Sequence, residues 1–185
     1  MKRIVLTFGL ISGAVMSAMM FITLPLLEKI GSDKALVIGY TTMVLAFLLV
    51  FFGIRSYRDN IGAGRISFLR ALGVGLLIML IASICYVVSW EIIYHNFMPD
   101  FADKYVARAT QEARSSGKSP EQIAQEVEQI KRMMTLYNNN IFFNLAITFI
   151  EPLPVGLVMT LISALILRRR EPKQSLGTGL PDLQN

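Results

Sequence analysis

Long apolar runs separated by short basic segments dominate the chain. Four stretches, residues 4–27, 36–54, 70–94 and 141–167, predict membrane-spanning helices, because crossing the hydrocarbon takes roughly 20 mostly apolar residues. Lys2 and Arg3 ahead of the first run imitate a signal peptide. The run outlasts a signal-peptide core, however, and no small-x-small cleavage site stands around Ser17 and Ala18, so it reads as the first span. Helices satisfy every backbone polar group inside a bilayer. The expected fold class is therefore all-α. It comprises an integral membrane four-helix bundle over residues 1–170 and an extracytoplasmic αα-hairpin between the third and fourth spans. A disordered cytoplasmic tail, 171–185, completes the chain.

Helices in lipid associate through close packing of small residues. Gly9, Gly13 and Ser17 form one ridge at four-residue spacing on the first span, and Gly156, Thr160 and Ala164 form another on the last. Such ridges serve either a dimer seam or packing within one bundle. Four helices needing neighbours favour the second.

The connections carry their own signals. Glu28 to Ala35 is a short external turn in which Gly31 and Ser32 break the helix. The segment Arg55 to Arg70, "RSYRDNIGAGRISFLR", predicts an interfacial elbow: Gly62 and Gly64 permit a bend, Ser67 caps the third helix and the arginines reach lipid phosphate. Its glycines lack the preceding strand and the lysine-serine pair of a phosphate-cradling loop. Residues 98–138 are too long for a structureless connector. They read as two helices, one between Pro99 and Gly117, the other capped by Ser119 with Pro120 in its first turn and Gln122 completing a capping box. Ile123, Val127, Ile130, Met134 and Tyr137 then line one face of the second helix, opposite Glu121, Gln125, Glu128, Lys131 and Arg132. Burial against the partner helix is the expected use of that stripe. A membrane surface or another protein are the other uses open to it.

Composition agrees with the pattern. Of the residues, 54% are hydrophobic and 17% charged, and the mean hydropathy is +0.52, outside the usual range of a soluble domain. One histidine and one cysteine exclude the usual zinc frameworks and an internal disulfide. A net charge of +5 raises nucleic acid as a partner, but the basic residues flank apolar runs and form no basic face. Their distribution sets the orientation instead. Lys2, Arg3, Arg55, Arg58, Arg65, Arg70, Arg168, Arg169, Arg170 and Lys173 fall on one side with three acids, about +7. The remaining eight bases meet ten acids, about −2. Basic residues at helix ends mark the cytoplasmic side, and an even number of spans puts both termini there. Arg55, Arg58, Arg65, Arg70, Arg168, Arg169 and Arg170 are the expected lipid-phosphate contacts.

The order of features, "GLISGAVM", then "FFGIRSYRDNIGAGRISFLRALGVGLLIMLIASICYVVSWEIIY", "PDF", an amphipathic insert and "EPLPVGLVMTLISALILRRR", resembles the bacterial membrane-protein family catalogued as domain of unknown function 4199 across nearly the whole chain. The "GIRSYRDN…GRISFLRALGVGL" block is the most specific part. The resemblance implies a multi-pass protein of the bacterial cytoplasmic (inner) membrane and carries over no catalytic residue.

Candidate chemistry concentrates in two carboxylates. Glu91 stands beside Trp90 and near Tyr94, at the external boundary, with His95 four residues on. Measured back from Arg168, Glu151 lies a turn inside that boundary, where a charge in lipid is costly, about 2.5–3.5 kcal/mol at the centre. Pro152 and Pro154 follow it and break the fourth helix, and Asn144 precedes it by two turns. Glu91, His95, Asn144 and Glu151 are thus the candidate polar cavity. Glu151 is expected to find a hydroxyl such as Thr23 or Tyr86, a free amide, or water. Glu-x-x-x-His by itself does not specify a metal, and no nucleophile, base and orienting group occur together, so no cofactor is implied and a hydrolase lacks support. An interaction or accessory protein fits every feature, with the lipid bilayer and a membrane or periplasmic protein at the hairpin as partners. A small oligomeric transporter or channel using Glu151 and the broken helix is the alternative. An intramembrane enzyme has the least support.

Overall fold

The computed structural model describes residues 1–24 and 32–169. The end of the first span, the turn from Glu28 to Gly31, Arg170 and the tail 171–185 lie outside the described residues. The chain forms helices α1 (Lys2–Thr23), α2 (Ser32–Asn60), α3 (Phe68–Phe97), α4 (Phe101–Ser115), α5 (Pro120–Asn139), α6 (Ile141–Ile150) and α7 (Leu153–Leu167). It is all-α, with no strand among the described residues beyond an isolated bridge between Ile66 and Arg169.

Four segments, Lys2–Thr23, Leu36–Asn60, Phe68–Phe97 and Ile141–Leu167, are long and apolar enough to cross a membrane. At 1.5 Å per residue even the 22 residues of α1 exceed the roughly 30 Å of hydrocarbon. The distribution of side chains suits that solvent. Leu45 (58% exposed), Val88 (53%) and Ile166 (64%) face outward, whereas Ser12, Ser83, Thr160 and Ser163 are buried. Water would penalise so much exposed apolar surface on every long helix.

α1 packs on α2 and α3, and α7 packs on the same two helices from its own side. Phe47, Val50 and Ile54 of α2 and Ile78 of α3 are fully buried in the shared core. Both small-residue ridges are used inside the chain. Gly9 lies against Ile81, Gly13 against Cys85, and Ser89 donates from its hydroxyl to that of Ser17 at 2.7 Å, one contact per turn down the α1–α3 seam. Gly156 lies against Met79, and Thr160 against Gly75. Ser12 donates to the Ala46 carbonyl at 2.8 Å, tying α1 to α2.

The elbow is shorter than the sequence suggested. α2 runs on through Arg55–Asn60, and α3 starts at Phe68, leaving 61–67 as the connection. Helix outlasts the apolar run because the polar residues after Ile54 also support it: Arg55 and Asp59 sit one turn apart at 3.7 Å, and the Asn60 amide donates to the Ser56 carbonyl at 2.9 Å. Gly62 then ends it, since a Cβ there would strike the Arg65 carbonyl oxygen, and Ala63 and Gly64 take positive φ. Ser67 caps α3, accepting from the Arg70 N–H at 3.4 Å.

The insert forms the anticipated pair of helices. Gly117 turns at φ +72°, and Ser119 and Gln122 complete a reciprocal capping box. α4 and α5 pack together. Met134 and Tyr137 are buried in a second cluster with Tyr94 and Ala102, against which Ile130, Trp90, Phe101 and Phe143 pack; Ile123 and Val127 are half-buried. The lower stripe therefore packs on Ala102, Phe101 and Val106 of its partner helix α4, as expected, and also docks the hairpin to α3 and α6.

Candidate functional site

The fourth span is two helices. Pro152 and Pro154 lack the N–H groups that would continue the ladder, and the chain turns at Glu151 and Pro152 before α7 resumes. Asn144, Thr148 and Glu151 share one side of the span at helical spacing; Thr148 meets α5 and Glu151 meets α3. Trp90 Nε1 donates to the Tyr137 hydroxyl at 2.6 Å, which pairs with Thr148 Oγ1 at 3.0 Å, and Thr148 Oγ1 donates to Asn144 Oδ1 at 3.4 Å. One donor direction, Trp90 to Tyr137 to Thr148 to Asn144, satisfies the whole relay. One turn along α3, the Tyr86 hydroxyl donates to Glu151 Oε2 at 2.8 Å. Tyr86, and not Thr23, is the partner of Glu151; Thr23 donates to the Met19 carbonyl of its own helix at 2.7 Å.

Glu151 remains exposed on the outer surface although one oxygen is held, whereas Asn144 and Thr148 are buried. Glu91 and His95 lie on the next face of α3. His95 Nε2 stands 3.3 Å from Glu91 Oε2, with the histidine open and the glutamate only 17% exposed. Both Glu91 oxygens are buried without a hydrogen-bond partner, as are the hydroxyls of Ser83 and Thr160. Among the described residues, no hydrogen bond or ion pair joins Glu91 or His95 to Asn144 or Glu151. The four candidate residues thus occupy three settings: the relay, the Tyr86 pair and the Glu91–His95 pair. No group of three or more His, Cys, Asp or Glu among the described residues could hold a metal ion.

The relay joins the hairpin to the membrane-length helices, and Tyr94 strengthens the joint by donating to Asn138 Oδ1. Burial pushes the Tyr137 hydroxyl above the ordinary tyrosine range. The Glu91 and Tyr94 charges add to that, and the bonds to Thr148 and Trp90 act the other way. Thr148 is the residue that sequence reasoning missed. Its signal was the polar pair Asn144–Thr148, four apart in an otherwise apolar helix. The arginines gather at the other end. Arg58 Nε binds Asp59 Oδ1 at 2.7 Å, and the Arg169 N–H donates to the Ile66 carbonyl at 3.0 Å, closing the C-terminal end of α7 against the elbow. Arg55, Arg65, Arg70, Arg168 and Arg169 are exposed there.

Four apolar helices of membrane length, polar relays at one end and arginines at the other define an α-helical membrane protein of the multi-pass class. More narrowly, the chain belongs to the family described as "Protein of unknown function (DUF4199)", matched over residues 7–169. No curated protein and no solved structure matches the chain.

Proposed function

We propose that this is a multi-pass protein of the bacterial cytoplasmic membrane, acting as an interaction or accessory protein through the α4–α5 hairpin. Its four spans form a bundle, the arginine end and both termini are cytoplasmic, and the hairpin is extracytoplasmic. The carrying observation is the way the hairpin is built. The lower part of its apolar stripe is used in packing, so an exposed charged face carrying Glu121, Gln125, Glu128, Lys131 and Arg132 is left open to a partner. The positive-inside rule supports the orientation. In a Cys85→Ser background, an impermeant thiol reagent added to intact cells should label Ser116→Cys and leave Ile61→Cys untouched; the reverse pattern overturns the orientation.

A second reading, a small oligomeric transporter or channel, is favoured by one observation: the exposed carboxylate of Glu151 at a proline break in a span, the arrangement that lines ion paths in broken-helix transporters. Glutamine can accept the Tyr86 bond through its own oxygen, so Glu151→Gln should fold with stability within about 0.5 kcal/mol of the parent. As an accessory protein, the parent reconstituted in proteoliposomes passes no solute or proton above empty vesicles. Flux that the parent supports and Glu151→Gln abolishes would instead establish the transporter and displace the accessory reading.

A further inference from the structure

A groove of about 380 Å³ opens between α1 and the last turns of α2 at the arginine end. It is a shallow depression, open along most of its length. Phe8, Leu49 and Phe52 make the floor, and Arg55, Ser56 and Asn60 make the rim. From Leu49 to Asn60 the helix rises about 16 Å, changing over that distance from apolar to polar. A bilayer crossed by α2 would meet its polar interfacial layer, on the order of 5–8 Å thick on each side, over this change.

The rim offers donors beyond the loose Arg55–Asp59 pair. The Arg55 side chain is 56% exposed, and its Nε lies 3.7 Å from Asp59 Oδ2, beyond a good hydrogen bond. Asp59, also on the rim, is held instead by Arg58 at 2.7 Å, which offsets its repulsion of an anion. The Ser56 hydroxyl accepts from the Asn60 amide at 3.2 Å, leaving its own proton free to donate. Arginine with an adjacent hydroxyl suits a phosphate oxygen, and the aromatic floor suits a hydrocarbon chain.

We propose that this groove binds one glycerophospholipid, with its phosphate on Arg55 and Ser56 and the start of an acyl chain over Phe8, Leu49 and Phe52. The site needs only that the four helices lie in a bilayer. It is independent of the orientation and of the role of the hairpin, so failure of either leaves it standing.

The test uses the purified full chain in detergent, with thermal unfolding followed on addition of phosphatidylglycerol, of diacylglycerol with the same acyl chains, or of inorganic phosphate. Phosphatidylglycerol at about a hundredfold excess over its Kd should raise Tm by on the order of 5 °C, and neither comparison ligand should match it. Arg55→Gln, at an exposed position, should fold normally and lose the shift, whereas Arg132→Gln on the hairpin should keep it. Native mass spectrometry should find one retained phospholipid per chain, reduced at least about tenfold in Arg55→Gln, the change expected from losing about 1.4 kcal/mol of binding. An equal shift from diacylglycerol would show that phosphate is not recognised, and an equal shift from inorganic phosphate would reveal a bare anion site. Unchanged behaviour of Arg55→Gln would place any bound lipid elsewhere. Each of these three results overturns the proposal.

Discussion

Gly13→Ala should lower stability by about 1–3 kcal/mol, and Gly13→Leu by more. A Cβ at Gly13 would sit 2.5 Å from Cys85 Cβ and 2.8 Å from its Sγ, at the middle of the α1–α3 seam. The Sγ can swing aside about its own bond, but the Cβ moves only with its backbone and cannot yield cheaply. The two helices must separate, and the contacts of Gly9 with Ile81 and of Ser17 with Ser89 loosen with them. Gly73→Ala is the control. A Cβ there meets nothing within 4 Å, and alanine is the better helix former by about 1 kcal/mol, so this change should be neutral or stabilising. Thermal unfolding in detergent reads both, at about 2–4 °C per kcal/mol for a chain of this size. Opening space with Cys85→Gly should recover part of the Gly13→Ala loss. Equal Tm values for the Gly13 and Gly73 alanine variants would remove the seam as the basis of α1 packing.

Tyr137→Phe should release the hairpin while leaving the membrane-length helices folded. The phenol accepts from Trp90 and pairs with Thr148, so its removal strands a half-buried indole N–H and leaves the buried Thr148 hydroxyl only its long bond to Asn144. Unsatisfied groups of this kind cost about 1–3 kcal/mol. Because Tyr137 belongs to the smaller cluster with Met134, Ala102 and Tyr94, the cost falls on docking of α4 and α5. Amide exchange over residues 101–139 should accelerate by roughly tenfold per 1.4 kcal/mol lost, with α1 and α2 protected as before. The same hydroxyl has a pH signature. Burial raises its pKa in the folded state, so its contribution is complete below the ordinary tyrosine value near 10 and is lost as pH rises beyond it. Parent docking should weaken in that alkaline range, and Tyr137→Phe should weaken less. Uniform acceleration throughout the chain would mean that the relay supports the whole fold and not the hairpin joint alone.

The candidate residues were legible one by one, and their grouping was only partly so. Spacing alone turned Asn144 and Glu151 to one side of the fourth span and set His95 one turn from Glu91. A carboxylate a turn inside the boundary needs a donor, and the sequence offered Thr23 and Tyr86 alike, without deciding between them. What spacing could not show was how α3 meets α6. That packing presents Trp90 and Tyr86 on successive turns and leaves Glu91 on another face. Helical phase relates residues within one helix, whereas the relative rotation of two helices is decided by the side chains packed between them.

The sequence by itself determined the class, the four segments of membrane length, the capping box at Ser119 and the helix break at Pro152. These depend on run length, side-chain chemistry and backbone donors, all local quantities. It also supplied the small-residue ridges, but not their partners. Tertiary structure alone decided that Gly13 meets Cys85 and Gly156 meets Met79, and that Tyr137 joins Trp90 to Thr148. The physical reason is sequence distance. Trp90 and Tyr137 stand 47 residues apart, and Tyr86 and Glu151 stand 65 apart. Nothing local to either residue encodes such a contact until packing of the helices between them sets their depth and rotation.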